Sequence, residues 1–262
     1  MLVTQIDRLK YLFACAVILP VLLLEACAVR SLYIPVSQNV PLFDSAKTLK
    51  GCAYIGTNHI ELQAAYNPTK HVAAVTNINF GGGIAIYDLA AGFYTYNKNQ
   101  KLRYELFAGY GYNSNIVFPA TYNNIFTKQQ IDYEVNSLYN KYYLQPAIGY
   151  CDDIRIYKLN YSFSLSARMS YLKFRRFLYR EIDTDKTTDP DAPVYSFVRS
   201  YRNKDLFLLE PCITNKVGRG RLYGIIQLQG MIPYSDEIDL RDTRFSPGIL
   251  FSLGVQYNFP IK

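Results

Sequence analysis

Residues 161–171 read YSFSLSARMSY, in which Tyr161, Phe163, Leu165, Ala167, Met169 and Tyr171 alternate with Ser162, Ser164, Ser166, Arg168 and Ser170. Successive side chains of a pleated strand point to opposite faces, so this spacing predicts a strand with one apolar and one polar face. The pattern recurs. Residues 102–112 set Tyr104, Leu106, Ala108 and Tyr110 against Arg103, Glu105, Gly109 and Gly111. Residues 251–259 set Phe251, Leu253, Val255, Tyr257 and Phe259 against Ser252, Gly254, Gln256 and Asn258. Strands are expected at 48–57, 59–67, 71–80, 85–96, 102–112, 140–151, 160–173, 206–216, 222–232 and 248–259, and no stretch sustains a helical period. An apolar face can pack on a second sheet in a soluble sandwich or meet lipid in a barrel, and one strand does not choose between them.

The connections do choose. Those at 67–70, 97–101, 152–160 and 217–221 are short, those at 113–139, 175–205 and 233–247 are long, and the two kinds alternate. Short inner turns and longer outer loops are the pattern of an outer-membrane barrel, which also leaves no exposed sheet edge. Most segments reach the roughly 9–11 residues that a tilted strand needs to cross a bilayer. The expected fold is therefore all-β, a transmembrane antiparallel up-and-down β-barrel. Parity favours ten strands, with the first outer turn at the GTNH of 56–59; eight follow if weak segments merge.

Charge agrees with this orientation. The short turns hold Lys70, Lys98, Lys101, Arg155, Lys158, Lys216, Arg219 and Arg221 against Asp152 and Asp153, in a chain of net charge +7. A basic rim beside anionic headgroups is favourable by about 1 kcal/mol per residue. The 25 tyrosines, with no tryptophan, suit interfacial girdles, where a ring needs an apolar body and a wet tip. The loop from Arg175 has basic ends (Arg175, Arg176, Arg180; Arg199, Arg202, Lys204) suited to lipid-A phosphates. Because the basic residues divide among turns and loop bases, a nucleic-acid partner is disfavoured.

The N-terminus carries Arg8 and Lys10, an apolar run over 11–24 and then small residues, the order of an export signal too short to span a bilayer. The LEAC of 24–27 resembles a bacterial lipobox, which implies a lipid on Cys27, although Glu25 departs from the usual small residue. Ala26 and Ala28 also frame an ordinary signal-peptidase site, with cleavage after Ala28 as the alternative. The expected organisation is a signal peptide over 1–26, a Pro-rich and polar lipid-anchored tether over 27–47 and the barrel over 48–262. Cys52, Cys151 and Cys212 are too few for a closed disulfide framework and lack zinc spacing, and read as small apolar fillers.

Ser252-x-Gly254-x-x-Tyr257-x-Phe259 resembles the terminal-strand signal read by the outer-membrane assembly machinery, and so implies that machinery as a partner. Here Pro260, Ile261 and Lys262 follow the last aromatic residue, which departs from the pattern. Together with YIPVSQNVPLF (33–43), IELQAAYNPTKHVA (60–73) and YYLQPAIGY (142–150), the chain is similar to Bacteroidota outer-membrane β-barrel proteins with lipoprotein-type signals. That resemblance covers most of the chain, implies the outer membrane of a Gram-negative cell and carries no catalytic motif.

Alternation assigns Glu61, Gln63, Arg103, Glu105, Arg168, Glu210, Gln227 and Gln229 to the lumen. Such groups can pair and fill a small barrel, or line a selective pore. His59 and His71 are the only histidines, neither with an evident catalytic partner, and the glycines of 81–83 read as a turn. The expectation is a protein that is not an enzyme and has no cofactor or metal. Its expected role is structural, adhesive or envelope-interacting through long outer loops, with outer-membrane lipids and lipopolysaccharide as partners and an envelope or extracellular protein possible. The alternatives are a narrow porin-like channel for small solutes and a rim-located enzyme.

Overall fold

The computed structural model describes Tyr33, 36–56, 59–81, 84–113, 118–123, 130–154, 159–182, 195–236, Ile238 and 248–261. The expected signal peptide and Cys27 lie outside the described residues. Twelve strands follow in order: β1 (Thr48–Gly56), β2 (His59–Asn67), β3 (Val72–Gly81), β4 (Ile84–Tyr96), β5 (Leu102–Asn113), β6 (Phe118–Asn123), β7 (Gln130–Ile154), β8 (Leu159–Ile182), β9 (Tyr195–Tyr201), β10 (Lys204–Arg219), β11 (Leu222–Tyr234) and β12 (Gly248–Pro260). Pairing runs β1, β2, β3, β4, β5, β7, β8, β10, β11, β12 and back to β1, all antiparallel. The molecule is thus a closed ten-strand antiparallel barrel, and β6 and β9 pair only on the outer ends of β7 and β8.

Local chemistry sets the strand ends. Gly220, at φ +64°, makes the tight turn between Arg219 and Leu222, which face each other across β10 and β11. In the turn after β4, Asn97 and Leu102 close the hairpin through a backbone bond of 3.0 Å. The expected long loops at 113–139 and 175–205 are corrected in part. β7 and β8 continue through them to 25 and 24 residues, and β6 and β9 add two hairpin arms. In β8 the continuation was hidden by a register shift: Tyr139 faces Phe174 while Leu138 faces Arg176, so Arg175 is an extra residue that breaks that strand's period of two.

The outer wall is apolar. Ile55, Leu62, Leu89, Phe93, Leu165, Met169, Ile213 and Leu253 are all exposed. Tyr110, Tyr142, Tyr171, Phe207 and Tyr234 occupy one row across five paired strands, with ring centroids 5.4, 6.4 and 4.9 Å apart over the first four. Near the short-turn end, Tyr104, Tyr150, Tyr257 and Phe259 are exposed as well. From Tyr161 to Tyr171 a strand rises about 33 Å, or about 25 Å along the axis at a usual tilt near 40°. That is the height of the apolar band of membrane barrels, about 25 Å, and the girdles on both sides belong to the same architecture.

Candidate functional site

The lumen holds a chain. Residues 36–43, expected to lie in a tether outside the barrel, are buried within it, as is Tyr33. The segment descends from the long-strand end to the short-turn end. Tyr33 lies beside Tyr139 and Lys141 on β7, Asn39 beside Gln145 and Leu42 beside Gly149. Ten strands enclose a wider lumen than eight, which side chains alone can fill. The wall is also thinned where the segment passes, by Ser162, Ser164, Ser166 and Ser170 on β8 and by Gly149, where an added Cβ would stand 2.5 Å from Leu42 Cδ2.

An extended chain inside a closed barrel has no strand edge to pair with, yet its peptide groups need partners. Lumen side chains supply them. Gln227 accepts from the Gln38 N–H at 2.8 Å and donates to the Gln38 carbonyl at 2.9 Å, as a neighbouring strand would. Glu61 accepts from the Ser37 N–H at 2.9 Å, and Gln63 donates to the Ser37 carbonyl at 2.9 Å. Gln145 donates to the Asn39 carbonyl at 2.8 Å, Lys216 to Val40 at 2.6 Å and Lys50 to Pro41 at 2.8 Å. Arg103 donates to the Leu42 carbonyl, and Glu105 accepts from the Phe43 N–H at 3.3 Å. Each such bond contributes about 1 kcal/mol net, and a buried group stripped of its partner costs about 1–3 kcal/mol, so the segment and the lining stabilise each other.

Apolar contacts fix its two ends. Tyr33 joins a cluster with Tyr139, Leu172, Phe174, Phe177, Leu206 and Met231 at the long-strand mouth. Phe43 packs with Ala65, Val75, Ala90, Tyr94 and Phe107 at the other. Below Phe43, Asn67 donates to Tyr94 Oη at 2.7 Å and accepts from the Thr48 N–H at 2.7 Å, tying the end of the segment to the start of β1. Asp44 lies 3.7 Å from Arg103 at this rim. Burial works to raise its carboxyl, but Lys50 and then Arg103 outweigh that and hold it below the ordinary carboxylate value.

All eight residues expected in the lumen lie on its side of the wall. Arg168 is fully buried, donates to Gln145 at 3.0 Å and to the Val36 carbonyl at 3.2 Å, and lies over the Tyr143 ring at 4.9 Å. Glu210 accepts from Tyr33 at 3.3 Å, Ser170 at 2.9 Å and Gln229 at 2.9 Å. The sequence reading missed Asp88, Lys141, Lys50 and Gln145, and it placed Lys216 on the basic short-turn rim, whereas Lys216 is buried in the lumen because its place on β10 points it at the Val40 carbonyl. Lys141 and Asp88 form a fully buried pair at 2.7 Å, with Arg168 at 3.9 Å from the same oxygen. Parity within the expected strands held this signal, since Asp88 alternates with Tyr87 and Leu89, and Lys141 with Tyr142.

In the terminal strand, Ser252 faces inward and its Oγ lies 3.1 Å from that of Ser37, while Tyr257 and Phe259 face outward with ring centroids 4.6 Å apart. Gly254 lies under the Tyr54 ring, 2.6 Å from where its Cβ would stand, so the close approach at the β1–β12 seam needs glycine. His71 is exposed, with Nδ1 3.4 Å from the Tyr94 carbonyl, and the side chain of His59 lies outside the described residues. Cys52, Cys151 and Cys212 are free thiols.

No family model matches the chain, and no match was found among curated proteins. Among solved structures it is similar to the N-terminal β-barrel domain of Pseudomonas aeruginosa OprF, at 10% identity and a TM-score of 0.28 over 82% of this chain and 100% of that one. It is also similar to the KdgM porin in complex with disordered oligogalacturonate, at 7% identity and a TM-score of 0.31 over 81% and 99%.

Proposed function

We propose that this chain is a bacterial outer-membrane barrel that its own N-terminal segment closes to solutes, and that it serves the envelope through the raised outer structure of β6 to β9. The plug of residues 36–43 carries the reading: a chain held by lumen side chains through its carbonyls from Val36 to Leu42 occupies the lumen along its length. The apolar wall with its two girdles supports the membrane location, and the resemblance of 33–43 and 142–150 to Bacteroidota barrels supports the kind of envelope. A structural or adhesive role fits an outer sheet of unequal strands better than a transport role does. No catalytic step is assigned.

Planar-bilayer recording of the refolded protein tests the closure. The wild type should show no steady conductance, and deletion of 33–43 should open an ion path. A channel reading has one observation in its favour, because the lumen beneath the plug is charged and amide-rich. Steady wild-type conductance would establish that reading and overturn the closed barrel.

The direction of the plug bears on the anchor. Tyr33 is at the outer mouth in this orientation, and it is six chain steps from Cys27, a reach of about 20 Å. A lipid on Cys27 therefore belongs in the outer leaflet. Labelled fatty acid should enter the wild type and not Cys27→Ser, whereas a mature chain beginning at Val29 would exclude the anchor.

A further inference from the structure

Between the strands of the outer aromatic row the wall is grooved. Tyr142, Leu144, Met169, Tyr171, Phe207 and Ile232 line a shallow, open apolar hollow with about 910 Å³ of space over it. Immediately beyond Tyr171 the same wall turns basic. Lys173, Arg175 and Arg176 are exposed on β8, Arg202 is exposed in the turn before β10, and Lys204 lies across from Phe174. The bulge at Arg175 places two consecutive arginines on the outside while Phe174 and Phe177 both stay inside. Two carboxylates share this crest: Asp205 accepts from Tyr171 Oη, and Asp236 accepts from Tyr234 Oη at 2.9 Å. Among the described residues five cations thus face two acids, directly above a hollow that offers carbon to its occupant.

An apolar groove capped by a cationic crest has the chemistry of an acylated, phosphorylated ligand. We propose that this face binds a phosphorylated acyl-glycolipid of the lipid-A type in the outer leaflet, with acyl chains in the groove and phosphates on Lys173, Arg175, Arg176 and Arg202. Arginine forks match phosphate oxygens in pairs, and a doubly phosphorylated headgroup is broad enough to meet cations on two neighbouring strands. A phosphatidylethanolamine carries one phosphate, offset by its own amine, and matches the crest less well. The inference rests on the membrane reading, with the short turns facing inward.

Native mass spectrometry of the detergent-solubilised full chain tests it, using diphosphoryl lipid A, dephosphorylated lipid A and phosphatidylethanolamine as probes. The wild type should retain diphosphoryl lipid A at least tenfold better than either of the others. Lys173→Gln/Arg175→Gln/Arg176→Gln should lose that preference at least tenfold, since each cation near a charged headgroup is worth about fivefold. Arg202→Gln, in a turn, gives a smaller loss without touching a strand. Equal retention of the three lipids by the folded wild type overturns the proposal, whatever the variants do, as does a second copy of the chain occupying the face. Failure of the membrane reading itself looks different: the protein would stay folded and soluble without detergent and show no heat-modifiable band.

Discussion

Arg168 and Met169 are adjacent in β8, and they have exchanged the places a water-soluble protein would give them. Arg168 is fully buried in the lumen, while Met169 is 45% exposed on the wall. The same inversion holds for Glu61 beside Leu62, Gln227 beside Leu228 and Lys216 beside Val217. Burial here follows hydrogen bonding to a threaded chain, and exposure follows apolar character. Between the apolar clusters at its two mouths, hydrophobicity therefore sorts the two faces with the sign reversed, and the polar interior is held by specific partners.

The comparison breaks most visibly at Arg168. Arg168→Met removes the bonds to Gln145 and Val36 and one cation near Asp88, and should cost about 3–5 kcal/mol, as removing one partner of a buried charged network does. Unfolding in lipid vesicles, read by the heat-modifiable gel shift, measures it, and a stability within experimental error of wild type would show that the network is dispensable. On the other face, Leu165→Arg should cost about 2–4 kcal/mol near the membrane midplane, and Gln229→Lys less, because that charge replaces a side chain of similar length and meets Glu210 in a polar lumen. Equal costs at the two positions would erase the distinction between the faces.

Smaller changes sharpen the picture. Gln227→Leu strips both bonds from Gln38 and should loosen the plug by about 1–3 kcal/mol while leaving the wall intact. Hydrogen exchange should quicken at residues 37–39 and stay slow in β10 and β11. The smallest effect concerns Asp44. Its carboxyl is held below its ordinary value, so its contribution to docking the lower end of the plug is complete above about pH 4 and fades as the pH falls through its folded value. The protection factor at Phe43, corrected for the slower intrinsic exchange in acid, should fall on acidification in the wild type, and Asp44→Asn should flatten that dependence.

Much of the barrel was legible because a strand reports its own faces. The alternation at 161–171, 102–112 and 251–259 needs no distant residue to interpret, and the observed β4, Ile84–Tyr96, differs from the expected 85–96 by one residue. The outer half of β8 was not legible for an equally local reason. The extra residue at Arg175 reverses parity, so a continuing strand reads as one that has ended.

The sequence by itself determined the period of two, the strand ends marked by turns such as Gly220, the polar lumen and the alternation of short and long connections, all of which are settled within a few residues of chain. Only the tertiary structure decided what the lumen contains. The partners that satisfy residues 36–43 stand far along the chain, with Gln227 189 residues from Gln38 and Lys216 176 residues from Val40. No local period encodes such a pairing, because a glutamine that completes a buried peptide looks, within its own strand, like any other polar residue on the inner face.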